Sequence, residues 1–519
     1  MKFNSLFIGA LLIMGTTLSS CASANAESKN KTDTNNTVEK PAFEYSKVQK
    51  KQAENVIKLS ENNPIIAHKF TADPAVLVYN DTVYIYGTND QQQVEYSQGE
   101  EDNNYAGINT LNVFSSKDLV NWTDCGEIAV AGQKGAAKWA RNSWAPAIAT
   151  KKIDGKDKFF LYFADSANGI GVLTADSPTG PFIDPIGRAL INRSSPNMNG
   201  VYWLFDPAVF VDDDGTGYIY FGGGVQNDVA HPKSGRCARL SEDMINLDSR
   251  PVEIDAPFLF EDSGINKVGN KYYYSYCSNW ADRNGVKADI IPGVASICYM
   301  SSDSPLGPFT YEGEVLLNPG KYFGAWGNNH HWIFNLKGKW YIAYHTQTTE
   351  KKIGLTKGGY RNVFINEFAV NEDGSWKLQD TDTISRLGVK QLADFNPYAK
   401  IPAATLQSSK DLVISSDKVF PIKDKAFLKL CNVDFSKGAE SIKIQAAEGS
   451  RDGTLSLYLD SNTSGTLLGQ IDIKGSGSYE AELNYPADDN KTSHNLYLVF
   501  TGEWALESWE ISAGLPHYK

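Results

Sequence analysis

The chain has 519 residues, 41% hydrophobic and 12% aromatic, with 11 Trp, 26 Tyr and a formal net charge of −12. That length suits two folded units rather than one. An acidic balance without a basic stripe excludes nucleic acid as the expected partner, and the absence of any CxxC spacing removes the usual zinc sites.

At the N-terminus, Met1-Lys2 precedes an apolar run from Leu6 to Met14, then Leu18-Ser19-Ser20-Cys21. The run is too short to span a bilayer permanently. It resembles a bacterial lipoprotein signal over residues 1–21, with Cys21 lipidated. That implies an exported protein of the outer membrane or periplasm, touching the membrane only through its anchor. Residues 22–60 read as a flexible tether. Five further cysteines, Cys125, Cys237, Cys277, Cys298 and Cys431, are odd in number and irregularly spaced, which argues against a disulfide framework. Cys277 and Cys298 fall on successive strand candidates, and a bond between them stays open.

From about residue 63 a hairpin pattern recurs: a polar start, an apolar run, a tight turn and an aromatic run. It is clearest in Asp206-Pro207-Ala208-Val209-Phe210-Val211, the turn Asp212-Asp213-Asp214-Gly215, and Tyr218-Ile219-Tyr220. Asp73-Pro74-Ala75-Val76, Ala145-Pro146-Ala147-Ile148, Glu261 and His330 open the other four units. A second strand pair with a Ser/Asp-rich turn follows most of them, as at Asp176-Ser177-Pro178 and Asp303-Ser304-Pro305. Five such units predict a five-bladed β-propeller over residues 61–390. Residues 391–519 return to strands in another rhythm, such as Thr454-Leu455-Ser456-Leu457-Tyr458-Leu459, and predict a β-sandwich of jelly-roll type. The expected class is all-β and the expected state a monomer.

If each first strand lines the axis, Asp73, Ala145, Asp206, Glu261 and His330 converge at one mouth of the central channel. Three carboxylates and an imidazole in register are poorly explained by packing. Carboxylates so placed suit glycosidic cleavage, one protonated as acid and one ionised to activate water. Trp139, Trp144, Trp203, Trp280 and Trp326 lie near the unit starts and could wall a sugar site, with inter-blade packing the competing account for each. The triple acid Asp212-Asp213-Asp214 reads as a hairpin turn rather than a calcium loop.

Together Ala72-Asp73-Pro74, Ser143-Trp144-Ala145-Pro146, Phe205-Asp206-Pro207, Phe260-Glu261-Asp262 and Asn329-His330-His331 resemble glycoside hydrolase family 43. The resemblance implies an inverting enzyme that releases arabinofuranosyl or xylosyl units from plant polysaccharide, with no organic cofactor. It casts Asp73 as general base, Glu261 as general acid and Asp206 as the residue tuning and orienting that acid. It places His330 beside a structural calcium or other cation, and Arg361 as a substrate contact, with a surface salt bridge as its alternative. Residues 391–519 resemble carbohydrate-binding module family 6, but Pro402-Ala403-Ala404 stands where that family has an acidic segment tied to calcium. That departure points to a lost ion. Tyr458, Trp504 and Trp509 are candidate stacking residues there.

Two alternatives remain at this stage: a surface lipoprotein that binds glycans without cleaving them, and, among enzymes, a β-xylosidase or arabinanase. Residues 90–108 and 281–293 are the rim loops expected to set that choice.

Overall fold

The computed structural model describes residues 42–55, 58, 61–487 and 493–514; the segment 1–21, read as a lipoprotein signal, lies outside them. The first antiparallel sheet holds β1 (Ala72–Tyr79), β2 (Thr82–Thr88), β3 (Thr110–Ser116) and β4 (Trp122–Ala129). The second holds β5 (Trp144–Ile153), β6 (Lys156–Ala164), β7 (Gly169–Ala175) and β8 (Ile191–Asn192). The third is built from β9 (Ala208–Val211), β10 (Gly217–Phe221), β11 (Gly235–Arg239) and β12 (Val252–Ile254). The fourth has β13 (Leu259–Val268), β14 (Lys271–Ser278), β15 (Ile297–Ser302) and β16 (Thr310–Leu316). The fifth has three strands, β17 (His331–Leu336), β18 (Lys339–Thr346) and β19 (Asn362–Glu367).

Turn chemistry sets these hairpins. Asn80-Asp81 between β1 and β2, Asp154-Gly155 between β5 and β6, and Lys337-Gly338 between β17 and β18 all take two successive positive φ values. Such turns match the twist of the strands they join. Asp212–Gly215 is likewise a hairpin turn, closed by the Gly215 N–H on the Asp212 carbonyl at 2.8 Å.

The first strands neighbour one another in order, and β17 returns to β1, so the sheets close a ring. Apolar cores fill the gaps between sheets. On β6, Phe159, Leu161 and Phe163 pack toward the first sheet while Phe160 and Tyr162 pack toward the third. Both faces are buried, which is why that strand reads as an unbroken apolar run. Trp332 on β17 packs against three of these cores.

The C-terminal strands form two packed sheets around one core containing Leu428, Leu457, Leu498 and Phe500. Trp504 and Trp509 are 0% and 1% exposed within it, so they serve packing and are not stacking surfaces. Tyr458 is partly buried against Phe427, Tyr497 and Val499. Ala403 and Ala404 are buried, and the Ala404 carbonyl accepts from the Asp124 N–H on β4 at 3.0 Å. The next residues, Thr405–Leu406, add a fifth strand to the first sheet by pairing with β4.

The expected tether over 22–60 is corrected in its last part. Lys47–Asn55 forms helix α1, whose Val48 packs with Phe70, Val94 and Tyr360 of the ring while Ala53 packs with Val413, Phe420 and Ala505 of the sandwich. The stretch is polar overall because only one narrow stripe is buried. The five cysteines are free thiols, with Cys237, Cys277 and Cys298 buried. Cys277 pairs opposite Ile297 and Cys298 opposite Tyr276, so the two thiols face opposite sides of the sheet and form no bond.

Candidate active site

The acids sit at a repeated backbone feature. Asp73, Ala145, Asp206 and Asp262 all have positive φ, 50°, 37°, 48° and 70°. Each stands two residues before a first-strand residue of its sheet: Ala75, Ala147, Ala208 and Gly264, which pair with Tyr86, Tyr162, Tyr220 and Ser275. In the fourth sheet the residue in register is therefore Asp262, and Glu261 precedes it. The sequence reading set Glu261 in that register; irregular pairing on both sides of Glu261 shifts it by one. A residue in the left-handed region is strained unless its surroundings hold it, and such positions concentrate at functional sites.

Asp73 is the most heavily held of these acids. Its Oδ1 lies 2.9 Å from Arg361 Nη1, and its Oδ2 accepts from the Thr88 hydroxyl at 2.6 Å. Its own N–H donates to His345 Nδ1 at 3.1 Å, while His345 Nε2 meets the Asn328 carbonyl at 3.0 Å. That assigns the His345 proton to Nε2. Burial holds His345 below the usual imidazole value and hence neutral. Burial alone would raise the Asp73 carboxyl, but the Arg361 guanidinium above all, with His330, overcomes it and holds Asp73 well below the usual carboxylate range. Asp73 is an ionised base.

Glu261 is the opposite case. It is buried, and its Oε1 has no hydrogen-bond partner among the described residues. Burial, then the charges of Asp206, Asp73 and Asp262, push its carboxyl well above the ordinary value. Ionised there it would be uncompensated, so it keeps its proton. Asp206 is also raised, by burial first and by Asp73 and Asp262, against the pull of His330. Its Oδ2 accepts the Asp262 N–H at 3.0 Å, so it is tied to the residue next to Glu261.

His330 lies among the acids: Nδ1 is 3.5 Å from Asp73 Oδ1 and 3.8 Å from Asp206 Oδ2, and Nε2 is 3.1 Å from Asp262 Oδ1. Burial opposes its charge, but those three carboxylates win and raise it above the usual imidazole value. Asp262, which sequence reasoning did not single out, also binds His331 Nδ1 at 2.5 Å, and His331 Nε2 meets the Ser275 hydroxyl at 2.8 Å. Calcium takes roughly six to eight oxygen ligands. Here Asp262 is engaged by two histidines and Asp73 by Arg361 and Thr88. These residues do not form a calcium cage, and among the described residues no group of three His, Cys, Asp or Glu is arranged to hold a metal. His330, expected beside a cation, lies among the carboxylates of Asp73, Asp206 and Asp262.

Arg361 is not a surface ion pair. It is 2% exposed and binds Asp90 twice, Nε to Oδ2 and Nη2 to Oδ1, each at 2.8 Å, while its Nη1 holds Asp73. Asp90 opens helix α2 (Asp90–Tyr96), so part of the expected rim loop 90–108 is helical. Trp144 is partly buried and donates from Nε1 to the Tyr105 carbonyl at 3.1 Å. Trp203 packs edge-on against Phe205 and Phe260, the residues just before Asp206 and Glu261. Trp139 stacks on Phe163 and serves packing. Trp280 and Trp326 are 40% and 50% exposed, and the Lys321 ammonium lies over the Trp326 ring, 5.6 Å from its centroid.

A paired base and acid, each in its working protonation state, can hydrolyse a glycosidic bond. Comparison with known proteins agrees. The family model for glycosyl hydrolases family 43 matches residues 61–376, and that for carbohydrate binding module family 6 matches residues 398–513. An arabinoxylan arabinofuranohydrolase of Paenibacillus polymyxa is 43% identical over 482 residues, covering 87% of this chain and 74% of its own. That of Bacillus subtilis is 44% identical over 470 residues, covering 86% and 90%. A crystal structure of a Bacillus subtilis family 43 arabinoxylan arabinofuranohydrolase in complex with cellotetraose superposes with a TM-score of 0.82 at 42% identity, over 89% of this chain and 100% of that one. This chain therefore belongs to glycosyl hydrolase family 43, with a C-terminal family 6 carbohydrate-binding module.

Proposed function

We propose that the protein is an inverting arabinofuranohydrolase that removes single arabinofuranosyl units from arabinoxylan. The observation that carries this is the opposed setting of two buried carboxyls in one network: Asp73 is gripped by the Arg361 guanidinium and the Thr88 hydroxyl, while Glu261 Oε1 has no donor among the described residues. The likeness to two arabinoxylan arabinofuranohydrolases supports the choice of sugar. Asp73 takes a proton from water as that water attacks the anomeric carbon. Glu261 gives its proton to the leaving oxygen, and Asp206 orients it and keeps its pKa high. Inversion needs room for one water between the two carboxyls, a separation of about 6.5–9.5 Å. No step requires an organic cofactor.

On this reading the ring of sheets is a five-bladed propeller over residues 61–390, and residues 391–519 are the appended module. Trp144, Trp203 and Trp326 line the substrate side. Residues 1–21 are a lipoprotein signal that leaves the enzyme, a monomer, anchored through Cys21 in the outer membrane or periplasm. Replacing Cys21 with Ala is expected to move the expressed protein from the membrane to the soluble fraction.

The deciding experiment incubates wild type and Glu261→Gln with arabinoxylan, arabinan and xylo-oligosaccharides and identifies the monosaccharide released. Wild type is expected to release arabinose of inverted anomeric configuration, and Glu261→Gln to lose turnover by about 100-fold or more. Release of xylose alone would make the enzyme a β-xylosidase. Bound glycan with no sugar released would leave only a binding protein.

A further inference from the structure

Tyr105 lies in the loop between α2 and β3, outside the first strands of the five sheets, and yet it reaches the catalytic network. Its backbone is in the left-handed region, φ 63°, which a bulky residue adopts only when held there. Two residues at the start of the second sheet hold it: Trp144 Nε1 and Asn142 Nδ2 both donate to its carbonyl, at 3.1 and 3.5 Å. Its N–H is capped by Asn103 Oδ1 at 3.0 Å. The ring then lies over the Arg361 guanidinium, 5.0 Å from its centroid, and meets Trp144 edge-on at 6.1 Å. Arg361 is the group that grips Asp73.

The hydroxyl is what this arrangement leaves over. It makes no hydrogen bond to any described residue, although the backbone groups beside it are all engaged. Burial pushes it up to about 12, with Asp90, Asp73 and Glu261 adding to the effect against Arg361. It therefore stays protonated, able both to donate and to accept, within the field of both reacting carboxyls. A half-buried hydroxyl without a protein partner is satisfied by solvent or by substrate. Furanose and pyranose rings carry hydroxyls on the carbons next to the reacting one.

We infer that Tyr105 is a substrate-contacting residue: its hydroxyl hydrogen-bonds a ring hydroxyl of the sugar whose glycosidic bond is cut, and its ring keeps Arg361 aimed at Asp73. This rests on the glycosidase reading above.

Tyr105→Phe tests it, because the ring and its packing remain. With the 4-nitrophenyl glycoside that wild type hydrolyses fastest, kcat/KM is expected to fall about 10-fold, the cost of one hydrogen bond to an uncharged partner, with an unchanged thermal midpoint. Monodeoxy analogues of the same glycoside locate the contact. One of them should cost wild type a similar factor and cost Tyr105→Phe nothing more. An active wild type with Tyr105→Phe within twofold of it, or equal losses on every analogue in both proteins, would overturn the assignment of Tyr105 alone. A wild type that releases sugar from nothing would bring down the glycosidase reading and this inference together.

Discussion

Two buried carboxyls a few residues from the same axis differ in charge because their neighbours differ. Asp73 has a guanidinium and a hydroxyl on its oxygens, while Glu261 has an oxygen with no donor. The sign of the pH dependence follows. On the proposed mechanism activity requires Asp73 ionised and Glu261 protonated, so the acid limb of kcat/KM is expected to lie low and the alkaline limb high. Arg361→Met removes the charge that outweighs burial at Asp73, so its carboxyl rises and the acid limb moves to higher pH. Arg361→Lys is expected to restore much of the limb while losing the two-point grip on Asp90. Asp206→Asn removes one negative charge from beside Glu261, so Glu261 ionises sooner and the alkaline limb moves to lower pH, with kcat reduced by about 100-fold. pH–rate profiles of these variants check both signs. Asp73, Asp206 and Glu261 were legible in the sequence because each opens a hairpin. Arg361 was visible, but its burial was not, since Asp90 lies 271 residues away. Nothing in the sequence marks Tyr105, whose position depends on Trp144 and Asn142 from the next sheet.

At the level of elements, the hairpin starts were readable and their register was not. A bulge moves a residue to the neighbouring place without changing the apolar pattern around it, which is how Asp262 came to occupy the position assigned to Glu261. Helix α1 escaped for a different reason. Its sequence is polar, and its stability comes from a narrow contact that only tertiary structure supplies. The Gln52 side-chain amide exchanges two hydrogen bonds with Gln91 on α2, at 2.8 and 3.1 Å, and Gln91 Oε1 also accepts from the Phe70 N–H. Gln52→Ala leaves the buried Gln91 amide short of partners and is expected to destabilise the fold by about 1–3 kcal/mol. The midpoint of urea unfolding measures this, with kcat little changed because α1 touches none of the catalytic acids.

On the scale of the molecule, the sandwich is not a loosely appended unit. Thr405–Leu406 extends the first sheet, and Asn121 exchanges two hydrogen bonds with the Cys431 backbone, at 2.8 and 3.0 Å. A chain ending at residue 390 would expose the edge of β4 and the apolar surface beside it. Such a truncation is expected to aggregate or to melt well below the full chain, as size-exclusion chromatography and thermal unfolding would show. The strand that joins the C-terminal sheets to the first sheet, Thr405–Leu406, is two residues long and carries no pattern to read in the sequence. The cysteines give the folded molecule one more property. Three thiols are sealed in the interior, and burial pushes Cys125 up to about 11 and raises Cys431 as well, so few thiolates face solvent at neutral pH. The fold asks for no oxidant, and in native enzyme Cys125, Cys237, Cys277, Cys298 and Cys431 should react slowly with a coloured thiol reagent, then fully once the chain opens, which turns sulfur chemistry into a clock for global unfolding.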